Sequence, residues 1–208
     1  YLDNIKSKIH KKNIQVSFVP IEKLNKLTKN NHQGIVATIS PISTLDINGL
    51  EGKLKNTKSL LILVLDGITD TKNFGAIIRS AECFDVDLII IPTTGSSPIN
   101  GETIKSSSGA IFNVPICKVN HIKDAIFLLK ENEINLIGTS DKGLSSLYEH
   151  KFNSRTAIII GSEGQGVNKS VLKLCDQVVN IVMQGKISSL NVSVATGIFL
   201  SEFRRQLN

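Results

Sequence analysis

The chemistry this sequence offers lies in six polar side chains and a run of glycines, spread over three stretches. Near the C-terminus an apolar run over residues 178–183 reaches Gly185, and Ser188, Ser189 and Asn191 then stand where the cap and first turn of a helix belong. Val192, Val194, Ala195, Ile198, Phe199 and Phe203 follow, apolar nearly all round, which is the pattern of a helix buried within a domain. Upstream, DTKNFGAIIR over residues 70–79 sets Asn73 near the start of another helix. Arg79 lies six residues on, about 600° around the axis and only loosely on the same side. Between these two, IIIGSEGQGV over residues 158–167 runs an apolar strand into Gly161, Gly164 and Gly166, with Glu163 among them. Glycines at the end of a strand let a backbone approach a ligand closely.

Each stretch also has a plainer reading. Asn73 can be a helix cap and Arg79 a surface ion-pair partner; the glycines can make a tight strand-to-helix turn; the last stretch can be a capped core helix. The glycine spacing is neither the dinucleotide G-x-G-x-x-G nor a P-loop ending in Gly-Lys-Ser/Thr. The four histidines, His10, His32, His121 and His150, all fall outside the three stretches, which argues against a metal centre or a histidine-based nucleophilic site. Cys83, Cys117 and Cys175 fit neither a zinc spacing nor a disulfide framework, and read as reduced thiols of a cytosolic-type compartment.

These side chains need a frame to hold them. Of 208 residues, 41% are hydrophobic and 20% charged, enough for one good core, and no apolar run approaches the roughly 20 residues of a membrane span. A net charge of +6 favours a polyanionic partner, although lysine-rich surfaces are common without one. From Ser59 on, strand-length apolar runs recur at 60–65, 88–91, 136–138, 157–160 and 178–182, with helical patterns at 74–84, 122–132 and 169–174. Continuous apolar strands alternating with helices predict an α/β domain, a parallel sheet with helices on both faces, over residues 59–208. Residues 99–113 read as loop plus one helix. Residues 40–58, with Pro41, Gly49 and Gly52, read as a linker carrying at most a short helix. Residues 1–39 hold strand patterns at 14–19 and 35–39 and a helical one at 21–29. They read as the C-terminal part of a small α+β domain whose start lies outside a sequence that opens on Tyr1.

Taken in order, the three stretches resemble the SpoU-type (TrmH-like) RNA 2′-O-ribose methyltransferases of the SPOUT superfamily. DTKNFGAIIR looks like the first family motif, with Asn73, Gly75 and Arg79 matching; GSEGQGV looks like the second, with Glu163; IVMQGKISSLNVSVATGIFLSE looks like the third, with Ser189, Leu190 and Asn191. HQGIVA at residues 32–37 is similar to the end of the RNA-binding domain of RlmB-like members, which methylate a guanosine ribose in large-subunit (23S-type) ribosomal RNA. Two positions depart from the family pattern. Thr71-Lys72 stand where Pro-His is usual, and Val182 stands where a proline is usual.

The resemblance implies a deep trefoil knot at the C-terminal end, a homodimer with the site near its interface, and a cytoplasmic enzyme with no metal and no membrane anchor. It implies S-adenosylmethionine as methyl donor, held by backbone groups at Gly161, Ile181, Met183 and Leu190. It implies RNA as acceptor, with ribosomal RNA favoured over a tRNA ribose. In this reading glycine at 161 keeps a side chain out of the cofactor's way. Arg79 carries catalysis, while Asn73, Glu163, Ser189 and Asn191 position it or the ribose. A guanidinium stays charged at any ordinary pH. Arg79 is therefore expected to stabilise developing negative charge and bridge an RNA phosphate. The competing reading of another class is a non-catalytic RNA-binding or ribosome-assembly protein that keeps the fold.

Overall fold

A computed structural model describes residues 9, 12, 14–29, 31–55 and 57–207. The chain divides into two units at the step from Pro41 to Ile42. In the first, helix α1 (Ile21–Leu27) forms as the sequence predicts but buries none of its residues. The strands expected at 14–19 and 35–39 do not form. A strand needs a neighbour to take its ladder hydrogen bonds, and these segments pair with no described residue. Phe18 is left 87% exposed.

The second unit is built on a seven-stranded, wholly parallel sheet: β1 (Leu60–Asp66), β2 (Leu88–Pro92), β3 (Ile116–Val119), β4 (Asn135–Thr139), β5 (Ser145–Ser146), β6 (Arg155–Gly161) and β7 (Gln177–Asn180). Their order across the sheet is β3-β2-β1-β6-β4-β7-β5. The period of two along each strand divides the core. Leu61, Leu63, Leu65, Ile158 and Ile160 face one side, where they meet α3 (Thr71–Cys83) and α7 (Val192–Leu207). Leu60, Ile62, Val64, Ala157 and Ile159 face the other, against α2 (Ile47–Leu54), α5 (Ile122–Glu131) and the short α6 (Lys169–Leu172). Strands covered on both faces have no polar side to show in sequence, which is why they read as unbroken apolar runs.

One expectation changes here, and one strand appears that the sequence did not announce. Residues 47–54, placed in a linker, form a helix whose Leu50 and Leu54 are fully buried in the second core. Just before it, the N–H of Leu45 donates to the carbonyl of Ile116 (2.8 Å), and Asp46 caps α2 through the amide of Gly49. The region at 99–113 supplies α4 (Gly101–Ser106) and a 3₁₀ turn (Ala110–Phe112), and β3 follows unannounced at the sheet edge.

Helix α7 buries Thr196, Phe199, Leu200 and Phe203 against α3 and the sheet, but it is not buried all round: Val194 is 51% exposed. Helices α3 and α7 lie side by side in the same direction. At their far ends Arg204 donates through Nε to the carbonyl of Phe84 (2.7 Å), closing the C-terminus of α3. At their near ends, as follows, they share a hydrogen bond.

Candidate active site

The site grows from the point where the sheet reverses. Strands β1 and β6 are neighbours, ending together at Asp66 and Gly161. The helix after β1 packs on one face and the helix after β6 on the other. Such a switch point opens a crevice at the C-terminal strand ends, where α/β folds bind ligands. Asp66 ties its two lips together, its Oδ2 accepting from the amide of Asn168 (2.8 Å).

Three side chains meet over this crevice. Asp70 caps α3 by accepting from the amide of Asn73 (2.7 Å); Asn73 is thus a first-turn residue and not the cap. The cap of α7 is Asn191, whose Oδ1 accepts from the amide (2.9 Å) and hydroxyl (2.6 Å) of Ser193. Because that atom must be the oxygen, the other is the nitrogen, and Nδ2 donates to Asn73 Oδ1 (2.9 Å) and to Glu163 Oε1 (2.8 Å). The network fixes the Asn73 amide in turn. Asn191 is saturated. Asn73 Nδ2 and Glu163 Oε2 meet no described protein group. Glu163 Oε1 also lies 3.5 Å from the amide of Val192. It sits where the N-terminal ends of two parallel helices converge.

The remaining expected residues stand apart from this trio. Arg79 is exposed on α3, two turns beyond Asn73, without a hydrogen bond or ion pair to any described residue. Ser189 is exposed and likewise unbonded, upstream of the helix it was expected to cap. Gly161 is buried, and a Cβ there would lie 1.9 Å from the carbonyl carbon of Gly166 and 2.0 Å from the nitrogen of Val167. Its glycine is therefore required by the loop folding back on its own backbone, closed by the amide of Gly166 on the carbonyl of Ser162 (2.9 Å). In α3, Gly75 has a similar cause, since a Cβ would overlap Ser106 of α4.

Ile181, Met183 and Leu190 belong to a segment of another kind. Through residues 181–190 no main-chain or side-chain group is hydrogen-bonded to a described residue. Ile181 is packed on the first core, and Met183 is half-buried. The chain is gripped just before this segment begins: Asn180 Nδ2 donates to the carbonyl of Gly143 (2.7 Å), and the amide of Leu147 donates to the carbonyl of Asn180 (2.8 Å). The sheet order also sets the end of β4, Thr139 and Ser140, between Gly161 and Ile181. Sequence reasoning passed over these two residues. The available signal was the change from apolar to polar at 139–141, which marks a strand's C-terminal end.

Residues 60–201 match the SpoU rRNA methylase family, and residues 2–45 match the RNA 2′-O ribose methyltransferase substrate-binding domain. The chain belongs to the SpoU family. Its family is that of RNA ribose 2′-O-methyltransferases, which weighs against the non-catalytic reading. Among curated relatives, the 23S rRNA (guanosine-2′-O-)-methyltransferase RlmB of Yersinia pestis is 38% identical over 84% of this chain and 71% of its own length. That of Escherichia coli K12 is 37% identical over 84% and 72%. Among solved structures, the SpoU methyltransferase AviRb of Streptomyces viridochromogenes in complex with AdoMet superposes with a TM-score of 0.71 at 26% identity, over 79% of this chain and 66% of that one. An AdoMet-bound rRNA methyltransferase from Sinorhizobium meliloti gives 0.71 at 26%, over 76% and 60%. The chain therefore spans less than two thirds of these solved SpoU chains, 66% and 60%.

Proposed function

We propose that this SpoU protein methylates the 2′-hydroxyl of a guanosine in large-subunit ribosomal RNA. The observation that carries the substrate is the 37–38% identity to enzymes named for that reaction; likeness to a solved tRNA-modifying SpoU enzyme is at 28%. The test is transfer of labelled methyl groups to total RNA from a strain lacking the enzyme, with the 2′-O-methyl position mapped. One labelled guanosine in large-subunit RNA is expected. Label confined to tRNA would overturn the substrate and keep the chemistry.

Bound S-adenosylmethionine supplies a methyl group on a positively charged sulfur. The chain's own groups suit such a guest. The unpaired N–H and C=O groups of 181–190 match the donor and acceptors on an adenine edge, and Ile181, Met183 and Leu190 offer apolar surface beside them, with the Gly161 turn as floor. Asn73 and Glu163 hold the ribose, and Asn191 holds both. Arg79, whose guanidinium meets no described residue, bridges an RNA phosphate and stabilises charge on the reacting oxygen. Ser189 lies at the end of the open segment, where an ordered cofactor would bring it toward the ribose. Thr71-Lys72, in place of the family's Pro-His, add a cation at the mouth of the site.

The rest of the reading follows the family. Residues 1–39 serve as RNA-selecting domain, supported by the substrate-binding match over 2–45. The C-terminal end is a trefoil knot, supported by β7 inserting between β4 and β5 while the 140–147 loop grips it. The enzyme works as a homodimer. The support is apolar surface left open beside the site, with Ile187 78% exposed and Val194 and Leu190 near it in sequence. A cytoplasmic location goes with the substrate. RNA affinity rests on phosphate contacts by lysine and arginine and falls steeply with salt.

A further inference from the structure

The wiring of Asn73, Glu163 and Asn191 leaves a particular pair of groups for the acceptor ribose. Asn191 has no donor or acceptor to spare: both hydrogens of Nδ2 are committed to Asn73 Oδ1 and Glu163 Oε1, and its Oδ1 is committed to the start of α7. What remains is one amide donor, Asn73 Nδ2, and one carboxylate acceptor, Glu163 Oε2. They are tethered to the same side chain, which keeps them together. A hydroxyl that must lose its proton while its oxygen attacks needs such a pair. One lone pair accepts from an amide, the hydrogen points at a base, and the second lone pair is free.

Resting on the reading of this site as a ribose methylation centre, we propose that Glu163, and not Arg79, receives the proton of the 2′-hydroxyl. Asn191 is the positioning residue that aims it. The ribose oxygen forms its bond to the methyl carbon as the carbon–sulfur bond breaks. The sulfur keeps that electron pair, and the proton passes to Glu163 Oε2. A weak base suffices, because the oxygen becomes strongly acidic as its new bond forms. Arg79 is poorly suited to the task, since a guanidinium has no acceptor lone pair to offer. Its place, exposed and two turns along α3, suits a phosphate instead. Glu163 is itself exposed, so the proton leaves to water without a relay.

The decisive measurement is the single-turnover rate at saturating S-adenosylmethionine and RNA, with the full chain. Glu163→Gln keeps an oxygen for Asn191 Nδ2 and so keeps the wiring, but it turns the outward acceptor into a donor. A fall of about 10²–10⁴-fold is expected, with cofactor and RNA dissociation constants within a few-fold of wild type. Glu163→Ala is expected to regain rate in proportion to added formate, which reads the base alone because the comparison is made within one variant. A Glu163→Gln rate within tenfold of wild type would overturn the assignment, as would a Glu163→Ala deficit that formate leaves unchanged. A wild-type chain that transfers methyl to no RNA overturns the reading of the site and this assignment with it. An active wild type with an active Glu163→Gln overturns only the assignment.

Discussion

The two halves of this site are made in opposite ways. The Asn73–Glu163–Asn191 corner is knit by side-chain hydrogen bonds of 2.8–2.9 Å between the ends of two packed helices. Ten residues away along the chain begins the other half, 181–190, which has no hydrogen bond at all to the described protein. The first corner is held by protein groups alone, the kind of fixed frame that alignment of a weak nucleophile demands. The second leaves its polar main chain unpaired, and such groups gain most from a guest that pairs them. Precision at the ribose is thus built in by side chains, and recognition of the cofactor is deferred to backbone.

Substitutions can break this contrast from either side. The largest effect is expected at the buried glycine of the loop that carries Glu163. Gly161→Ala sets a Cβ against the backbone of Gly166 and Val167, which forces the loop to move and takes Glu163 with it. Cofactor binding by calorimetry is expected to vanish, transfer to fall by more than about 10³-fold, and stability in urea to drop by about 1–3 kcal/mol. Wild-type affinity in this variant would show that the loop tolerates what its geometry forbids. Next, Asn191→Asp keeps an oxygen to cap α7 but faces Glu163 Oε1 and Asn73 Oδ1 with a second oxygen. Transfer is expected to fall by about 10²-fold with stability changed by no more than about 1 kcal/mol. A large loss of stability with normal turnover would mean that the residue is only a cap. Arg79→Lys comes third, with a fall of about tenfold to a hundredfold in single-turnover rate at saturating RNA and unchanged cofactor affinity, because a point charge replaces a forked donor. A near-normal rate there would remove any special role for the guanidinium.

The open half is read by exchange. Amides of 181–190 are expected to exchange rapidly in the free protein and to slow about tenfold or more when S-adenosylmethionine is bound. Slow exchange without ligand would mean that the segment is already ordered. The smallest effect belongs to the far end of the fold, as a control. His150 is buried against Phe152, their rings 4.6 Å apart and edge-on, and burial lowers its pKa. A depressed pKa means that the folded state disfavours the charged form. Stability is therefore full above about pH 6.5 and declines as the pH falls below it. The melting temperature of His150→Gln should depend less on pH over that range, with methyl transfer little changed.

Much of this was legible in the sequence, and the rest was hidden for identifiable reasons. The central strands declared themselves because both faces of each are covered, and one side chain from each of the three stretches, Asn73, Glu163 and Asn191, joins a single hydrogen-bonded group. β3 was missed because Lys118 interrupts a four-residue edge strand. α2 was allowed for only as a short linker helix, because Gly49 and Gly52 mask the anchoring of Leu50 and Leu54 in the core. Helix α7 looked uniformly apolar, yet composition could not say which side stays open at Val194. The hydrogen-bond roles of Asn73 and Asn191 were the least accessible. They depend on which atom of an amide faces which, and that follows only from contacts between residues 118 positions apart.

The place of β6 in the sheet carries a consequence for how the chain is made. Leu60 pairs with Arg155, about 95 residues later. Until that later segment emerges and closes the gap, β1 has β2 on one side and an unsatisfied apolar edge on the other. Closing so long a loop is slow, and an open strand edge invites pairing with other chains. The same insertion that brings Gly161 beside Asp66 thus leaves the nascent domain exposed to self-association during synthesis, and chaperone occupancy or low temperature during expression should raise the soluble yield.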